Sequence, residues 1–309
     1  MRVIFCGNPE FALPALDALR QSPHQICAVV TGADKPRGRG RKLSFTPVKE
    51  HALTAGIPVF QPEKLSDPDF LDQMRVLQPD VIVVVAFRIL PRVFFALPPL
   101  GAFNIHPSLL PRGRGPAPLR WTLIRGETET GVTIIHLSEA VDAGDILLQE
   151  CTPIAPDENY GSLHDRLAAA GARLLLAVLD AFAKGHPPRP LPQDESLVTK
   201  APKLTASDYE LDWSLSARDL VNHIRAFSPE PGAVTALNGK KFKILAANEI
   251  ILQDKLNCGE LKTNGRDQMI VGTGGGVLQL KMVQPEGKRP MTVADYLRGR
   301  PELSERFGK

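Results

Sequence analysis

Val81-Ile82-Val83-Val84-Val85-Ala86-Phe87 is an unbroken apolar run dominated by β-branched residues. A strand with one wet face alternates polar and apolar side chains, whereas a strand that is apolar throughout has both faces covered. The run therefore predicts an interior strand of a sheet flanked by helices. Asp69 to Leu77, just before it, has helical spacing. The start of the chain repeats the arrangement: Arg2 to Cys6 is a short apolar strand, Gly7-Asn8-Pro9-Glu10 breaks it, Phe11 to Gln21 carries Leu13, Leu16 and Leu19 at helical spacing, and Ile26 to Val30 is a second buried strand. Strands alternating with helices predict an α/β, Rossmann-like fold with a mostly parallel sheet. Ala102 to Ile105 and Gly131 to Leu137 add further strands. The Ala/Leu-rich stretch Ser162 to Phe182 reads as a long helix that closes this part of the chain.

The composition then changes. Lys184 to Pro192 reads KGHPPRPLP, with four prolines in nine residues, which cannot hold a regular helix or strand. Beyond it, Asp219 to Ala226 is helical, and short strands follow in AVTAL, KFKILAANEI, QMIVGT and VLQLKMVQPE, punctuated by Asn238-Gly239 and Gly274-Gly275-Gly276. The expectation is a smaller C-terminal OB-like β-barrel. The predicted organisation is a catalytic domain over 1–183, a linker over 184–207 and a barrel domain over 208–309.

A chain of 309 residues with 43% hydrophobic and 23% charged residues has the makings of an ordinary packed core. A net charge of +3 permits an anionic partner without requiring one. Cys6, Cys27, Cys151 and Cys258 are widely spaced, with no CxxC and no Cys/His pairing, so reduced thiols and no metal are expected. The apolar opening Met1 to Phe5 is too short for a signal peptide, and Val81 to Phe87 is far below a membrane span of about 20 residues. The protein is expected to be cytoplasmic, monomeric and without a membrane partner.

The chemistry is carried by Asn104 and His106. They sit two apart at a predicted strand end, so both point to the same face. An amide and an imidazole aimed at one spot can stabilise the oxyanion of an acyl transfer, and a carboxylate such as Asp142, in Val141-Asp142-Ala143-Gly144-Asp145, can orient the imidazole or take a proton. An attacking amine is its own nucleophile, so the chain need supply none. The first strand-to-helix turn, GNPEFA, lacks the glycines of a dinucleotide fingerprint, and no P-loop occurs; a dehydrogenase or P-loop enzyme is thereby disfavoured. Trp121 and Trp213 read as packing anchors, and Cys6 as a buried thiol.

Asn104-x-His106-x-Ser108-Leu109-Leu110-Pro111 followed by Asp142-x-Gly144-Asp145 resembles the signature of the 10-formyltetrahydrofolate-dependent formyltransferases. The likeness extends over nearly the whole chain. Gly7-Asn8-Pro9-Glu10-Phe11-Ala12 resembles the family's opening turn, and Glu127 to Thr133 its strand entering the Asp142 loop. Lys203-Leu204, Asp212-Trp213-Ser214, Ile224 to Pro229 and Pro231-Gly232-Ala233 resemble the C-terminal domain of the branch that acts on a charged tRNA. The resemblance implies a formyltransferase fold, 10-formyltetrahydrofolate as formyl donor, and initiator methionyl-tRNA as acceptor. It implies Asn104, His106 and Asp142 as the catalytic trio. It also implies a folate pocket made by Ser108, Leu109, Leu110 and Pro111, together with the backbone of Ala86, Phe87, Arg88 and Ile89 and the Asp142 loop. Two departures stand out. Gly113 occupies a position where the family usually has an aromatic, and is expected to loosen its loop. Ala86 to Pro91 is one residue shorter than usual and carries the charge of Arg88.

Lys35-Pro36-Arg37-Gly38-Arg39-Gly40-Arg41-Lys42 packs five cations into eight residues. Such a run is either a solvated charge cluster or a phosphate-binding loop. The resemblance implies the second, with Arg39 reaching the acceptor end of tRNA and Arg37, Arg41 and Lys42 in support. Lys240, Lys241 and Lys243 on the barrel could track RNA backbone or simply line a wet strand face. The rival readings are a formyltransferase acting on another amine (an amino-sugar nucleotide or glycinamide ribonucleotide) and a non-enzymatic RNA-binding protein. The first needs neither the barrel nor the basic loop; the second leaves Asn104, His106 and Asp142 idle.

Overall fold

The computed structural model describes residues 1–37, 42–252, 255–299 and 301–308. They divide into two compact units: residues 1–118, 129–153 and 164–201 form the first, and residues 119–128, 154–163 and 202–309 form the second. The elements of the first two-thirds are β1 (Arg2–Gly7), α1 (Leu13–Arg20), β2 (Gln25–Val30), β3 (Lys35–Arg37), β4 (Lys42–Ser44), α2 (Pro47–Thr54), β5 (Val59–Phe60), α3 (Pro68–Val76), β6 (Val81–Val85), α4 (Arg92–Phe95), β7 (Ala102–His106), α5 (Pro118–Ile124), β8 (Glu129–His136), β9 (Ile146–Pro153) and α6 (Tyr160–Ala183).

A seven-stranded sheet in the order β5-β2-β1-β6-β7-β8-β9 organises the first unit. β6 lies inside it with all five residues buried, as its sequence requires. On one face Ile4, Cys6, Ile82 and Val84 pack with Phe70, Leu71 and Met74 of α3 and with Phe94 of α4. Sequence signals set the helix starts. The Thr46 hydroxyl accepts from the Lys49 N–H at 3.1 Å and the Asp67 carboxylate from the Phe70 N–H at 3.1 Å, each just before a proline at the first helical position. The helix expected from Phe11 begins instead as a 3₁₀ turn, Glu10–Ala12, with α1 starting at Leu13. Pro14 has no N–H to return to Glu10, so an α-helical ladder cannot run back through that turn.

The sheet is parallel only from β5 to β7; β8 runs antiparallel to β7 and β9 antiparallel to β8. β9 was not legible in the sequence. It is an edge strand with alternating exposed positions, and its residues Gln149, Glu150 and Cys151 interrupt any apolar run. The basic stretch read as a charge cluster or phosphate-binding loop begins and ends in a two-stranded hairpin, with Arg37 paired to Lys42.

The second unit contains α7 (Ala217–Ala226), β10 (Ala233–Leu237), β11 (Lys240–Ile250), β12 (Leu261–Thr263), β13 (Met269–Gly272), β14 (Val277–Pro285), β15 (Met291–Thr292) and α8 (Val293–Arg298). Its antiparallel sheet has the order β10-β11-β14-β13-β12, with β15 on β14. The C-terminal segment closes the gap between the outer strands: the Gly308 N–H donates to the Ala236 carbonyl at 3.0 Å, and the Leu261 N–H to the Glu305 carbonyl at 2.8 Å. The expected barrel is thus closed by residues that carry no strand signal of their own. Trp213 is the packing anchor expected, buried and stacked on Phe307 with ring centroids 5.3 Å apart.

Candidate active site

Parallel strands present their carboxyl ends on one edge, where an open α/β sheet binds ligands. Here that edge holds Gly7 of β1, Val85 of β6 and, through the register Val84↔Asn104 and Val85↔Ile105, the polar end of β7. Asn104 and His106 lie two apart on β7, on one face as the strand period demands. Their settings differ. His106 is buried, whereas Asn104 is half-buried and its side-chain amide makes no hydrogen bond among the described residues. A sheltered amide with its donors uncommitted is suited to a ligand rather than to the fold.

His106 Nε2 lies 3.0 Å from the Gly113 carbonyl oxygen. A carbonyl only accepts, so Nε2 carries the hydrogen and the Nδ1 lone pair is left for chemistry. Nδ1 faces the Asp142 carboxylate at 3.6 Å, beyond direct hydrogen-bond reach and within ion-pair distance once the ring is protonated. The other Asp142 oxygen accepts from the Gly115 N–H at 2.9 Å. Asp142 itself sits at φ +55°, a left-handed conformation that Asp tolerates better than most residues. The three side chains thus gather on the sheet edge from two distant stretches of sequence.

The turn after β7 is held by residues the sequence did not single out. Thr133, buried on β8, donates its hydroxyl hydrogen to the Ser108 carbonyl at 2.7 Å and accepts from the Leu110 N–H at 3.3 Å. Gln149 on β9 donates to Thr133 Oγ1 at 2.8 Å and to the Leu110 carbonyl at 3.0 Å. The Ser108 hydroxyl is spent on the Arg112 carbonyl at 2.6 Å. Ser108, Leu109, Leu110 and Pro111 therefore turn much of their hydrogen-bonding capacity inward. No sequence signal marked Thr133 or Gln149, because they lie on strands β8 and β9 and meet the turn only through sheet pairing.

Gly113 does not loosen its loop. It adopts φ +76°, a Cβ there would lie 3.1 Å from Ser108 Cβ, and its peptide is fixed on both sides: its N–H donates to Thr199 Oγ1 at 2.9 Å and its carbonyl accepts from His106. Here glycine serves the left-handed turn that brings that carbonyl to the imidazole. Gly144 is constrained by space instead, since a Cβ would fall 1.7 Å from the His136 carbonyl oxygen. Gly144→Ala is expected to cost about 3 kcal/mol or more, as overpacking against main chain does. Denaturant unfolding checks this, and an unchanged midpoint would contradict it.

Ala86 follows β6 on the same edge with φ +49°. The main-chain N–H and C=O groups of Phe87, Arg88 and Ile89 make no backbone hydrogen bond among the described residues. Ile89 is 75% exposed, while the Arg88 guanidinium turns away to the carbonyls of Pro62 (2.5 Å) and Glu63 (2.9 Å). Uncommitted main chain beside apolar side chains is what a flat heterocycle with several donors and acceptors requires. Arg39 and Arg41 lie outside the described residues, and Arg37 and Lys42 are the last residues paired before the connection that holds them. Cys6 is fully buried, which pushes its thiol up and keeps it inert. Among the described residues no group of three His, Cys, Asp or Glu is arranged to hold a metal, and no helix is long and apolar enough to cross a membrane.

Residues 1–179 match the formyl transferase family and residues 203–301 the formyl transferase C-terminal domain. The chain belongs to the formyl transferase family. A methionyl-tRNA formyltransferase of Syntrophus aciditrophicus is 48% identical over 298 residues, covering 96% of this chain and 95% of the relative. That of Moorella thermoacetica is 46% identical over 302 residues, covering 97% of each. Among solved structures, HypX from Aquifex aeolicus in complex with tetrahydrofolic acid matches with a TM-score of 0.66 at 20% identity, over 96% of this chain and 47% of that one, a likeness of fold alone. The family's two parts coincide with the two kinds of sheet found here, mostly parallel first and antiparallel second.

Proposed function

We propose that this protein transfers the formyl group of 10-formyltetrahydrofolate to the α-amino group of methionine on initiator tRNA. The acceptor is argued from the end-to-end likeness to relatives named for that reaction. The reaction is argued from one observation: His106 Nδ1 faces Asp142 at 3.6 Å, beside an Asn104 amide left free by the fold. Bound along Ala86 to Ile89 and the Ser108–Pro111 turn, the folate supplies an activated formyl carbon. Asn104 donates an amide hydrogen to the formyl oxygen as negative charge gathers there. The proton lost by the attacking amine is taken up by the His106–Asp142 pair, at Nδ1 or at the carboxylate, and is passed to the folate nitrogen as its bond to the formyl carbon breaks, so that tetrahydrofolate leaves as the neutral amine. The Nε2 hydrogen bond to Gly113 keeps the ring turned so that Nδ1 is the nitrogen presented.

Residues 1–183 carry the transfer, and residues 208–309 together with the basic hairpin hold the RNA. The protein acts as a monomer in the cytoplasm. Labelled 10-formyltetrahydrofolate offered with methionyl-tRNA, an amino-sugar nucleotide or glycinamide ribonucleotide tests the reading. Label is expected on methionyl-tRNA, and label on a small amine alone would replace the acceptor proposed. Arg39→Ala is expected to raise the KM for tRNA, lower the salt slope by about 1 and leave the folate KM unchanged. A tRNA KM equal to wild type would remove Arg39 from the RNA contact.

A further inference from the structure

The segment read as a linker crosses the active site. Leu191 exchanges two main-chain hydrogen bonds with Ile146 (2.8 and 2.9 Å), at the end of the Asp142 loop. A few residues on, the Arg114 N–H donates to the Thr199 carbonyl at 2.9 Å and the Ala201 N–H to the Arg114 carbonyl at 2.7 Å. The strap therefore ties together the two loops that meet at the Asp142 carboxylate, one carrying Asp142 and the other Gly115.

Gln193 sits between those two ties, half-buried in a run whose neighbours are exposed. Its amide nitrogen donates to the Asp142 carbonyl at 2.8 Å and to the Gly144 carbonyl at 2.7 Å. Its amide oxygen accepts from Arg114 Nε at 3.0 Å and Nη2 at 2.8 Å. The orientation of the amide is unambiguous, because carbonyls only accept and a guanidinium only donates. Arg114 is in turn braced by Glu195 at 2.7 Å, and that bond holds the Glu195 carboxyl below its ordinary range. Every hydrogen-bonding group of the Gln193 side chain is thus committed to the two loops.

We propose that Gln193 is a positioning residue that holds Asp142 in its left-handed turn, with the carboxylate on Gly115 and facing His106. The inference rests on the reading of Asp142 as part of the proton-accepting pair. At φ +55° Asp142 is away from the backbone wells an aspartate prefers. Two hydrogen bonds to the carbonyls of Asp142 and Gly144 supply the restraint. Without them the turn relaxes and the carboxylate leaves the imidazole, while Ala86–Ile89 and the Ser108–Pro111 turn, which Gln193 does not touch, stay in place.

The test is a double-mutant cycle read by single-turnover formyl transfer from labelled 10-formyltetrahydrofolate to methionyl-tRNA. Gln193→Met keeps the length of the side chain and removes its hydrogen bonds. It is expected to lower the rate at saturation about 10- to 100-fold, as a slight misplacement of a reacting group does, with both KM values within about threefold of wild type. In the Asp142→Asn background the same change is expected to add less than about twofold, because the group it positions is already disabled. A merely structural role would carry its full effect into that background. That result, or a Gln193→Met rate equal to wild type, overturns the proposal. Should Gln193→Met not fold, Gln193→Glu carries the same test, since it keeps the Arg114 contact and sets an acceptor against the two carbonyls. A wild-type chain that transfers no formyl group would sink the functional reading instead, so the two failures are distinct.

Discussion

Asp142→Asn is expected to lower kcat by about 10²- to 10⁴-fold, and His106→Ala to do the same, with both proteins folded. The pair is the proton acceptor the site geometry offers: Nδ1 of His106 and a carboxylate oxygen 3.6 Å from it. Asparagine keeps the size of Asp142 and an oxygen for the Gly115 N–H, so the loop closure of 2.9 Å survives. What it loses is the negative charge that stabilises an imidazolium and the capacity to hold a proton. His106→Ala removes the ring and leaves the Gly113 carbonyl without its donor, a defect of about 1–3 kcal/mol. Circular dichroism and a denaturant midpoint separate that stability loss from the catalytic one. Combining the two substitutions is expected to cost little more than either alone, because they disable one proton-transfer unit. Turnover near wild type in either single variant would take the pair out of the mechanism.

The parts of this protein that were legible in its sequence are those whose cause is local. Val81 to Val85 is apolar throughout and is buried throughout. Asn104 and His106 share a face because a strand has a period of two, whereas the acid and glycine of the Asp142 turn mark a turn as readily as a site, and Asp142 was singled out by the resemblance of its Asp-x-Gly-Asp sequence to the family signature. What was not legible depends on pairing between distant segments. β9 mixes polar and apolar residues because it is an edge strand, so its signal is weak. Thr133 and Gln149 look like ordinary strand residues until β8 and β9 bring them under the Ser108 turn. Gln193 lies next to a proline-rich stretch with no periodicity, and only the pairing of Leu191 with Ile146 and of Arg114 with Thr199 gives it a role. Gly113 was misread for a related reason. A glycine in isolation means freedom, but this one is fixed on both sides of its peptide, and its φ of +76° is a requirement of the turn.

Asn104→Ala is expected to lower kcat about 10²- to 10³-fold, the usual effect of deleting one oxyanion donor, while both KM values change little. The split follows from when the contact is made. A hydrogen bond that strengthens only as charge develops on the formyl oxygen contributes to the transition state and not to binding. Stability should stay within about 0.5 kcal/mol of wild type, because the fold leaves this amide without a hydrogen bond among the described residues and its removal orphans nothing. Asn104→Asp gives the sharper discrimination. It matches asparagine in shape, so a packing role would tolerate it better than alanine. A donor role reverses the order, since a carboxylate offers no hydrogen and repels the charge it would face. The expected ranking of kcat is therefore wild type, then Ala, then Asp. Steady-state kinetics with methionyl-tRNA that place Asp above Ala would mean that Asn104 fills space and that the developing charge is met by something else.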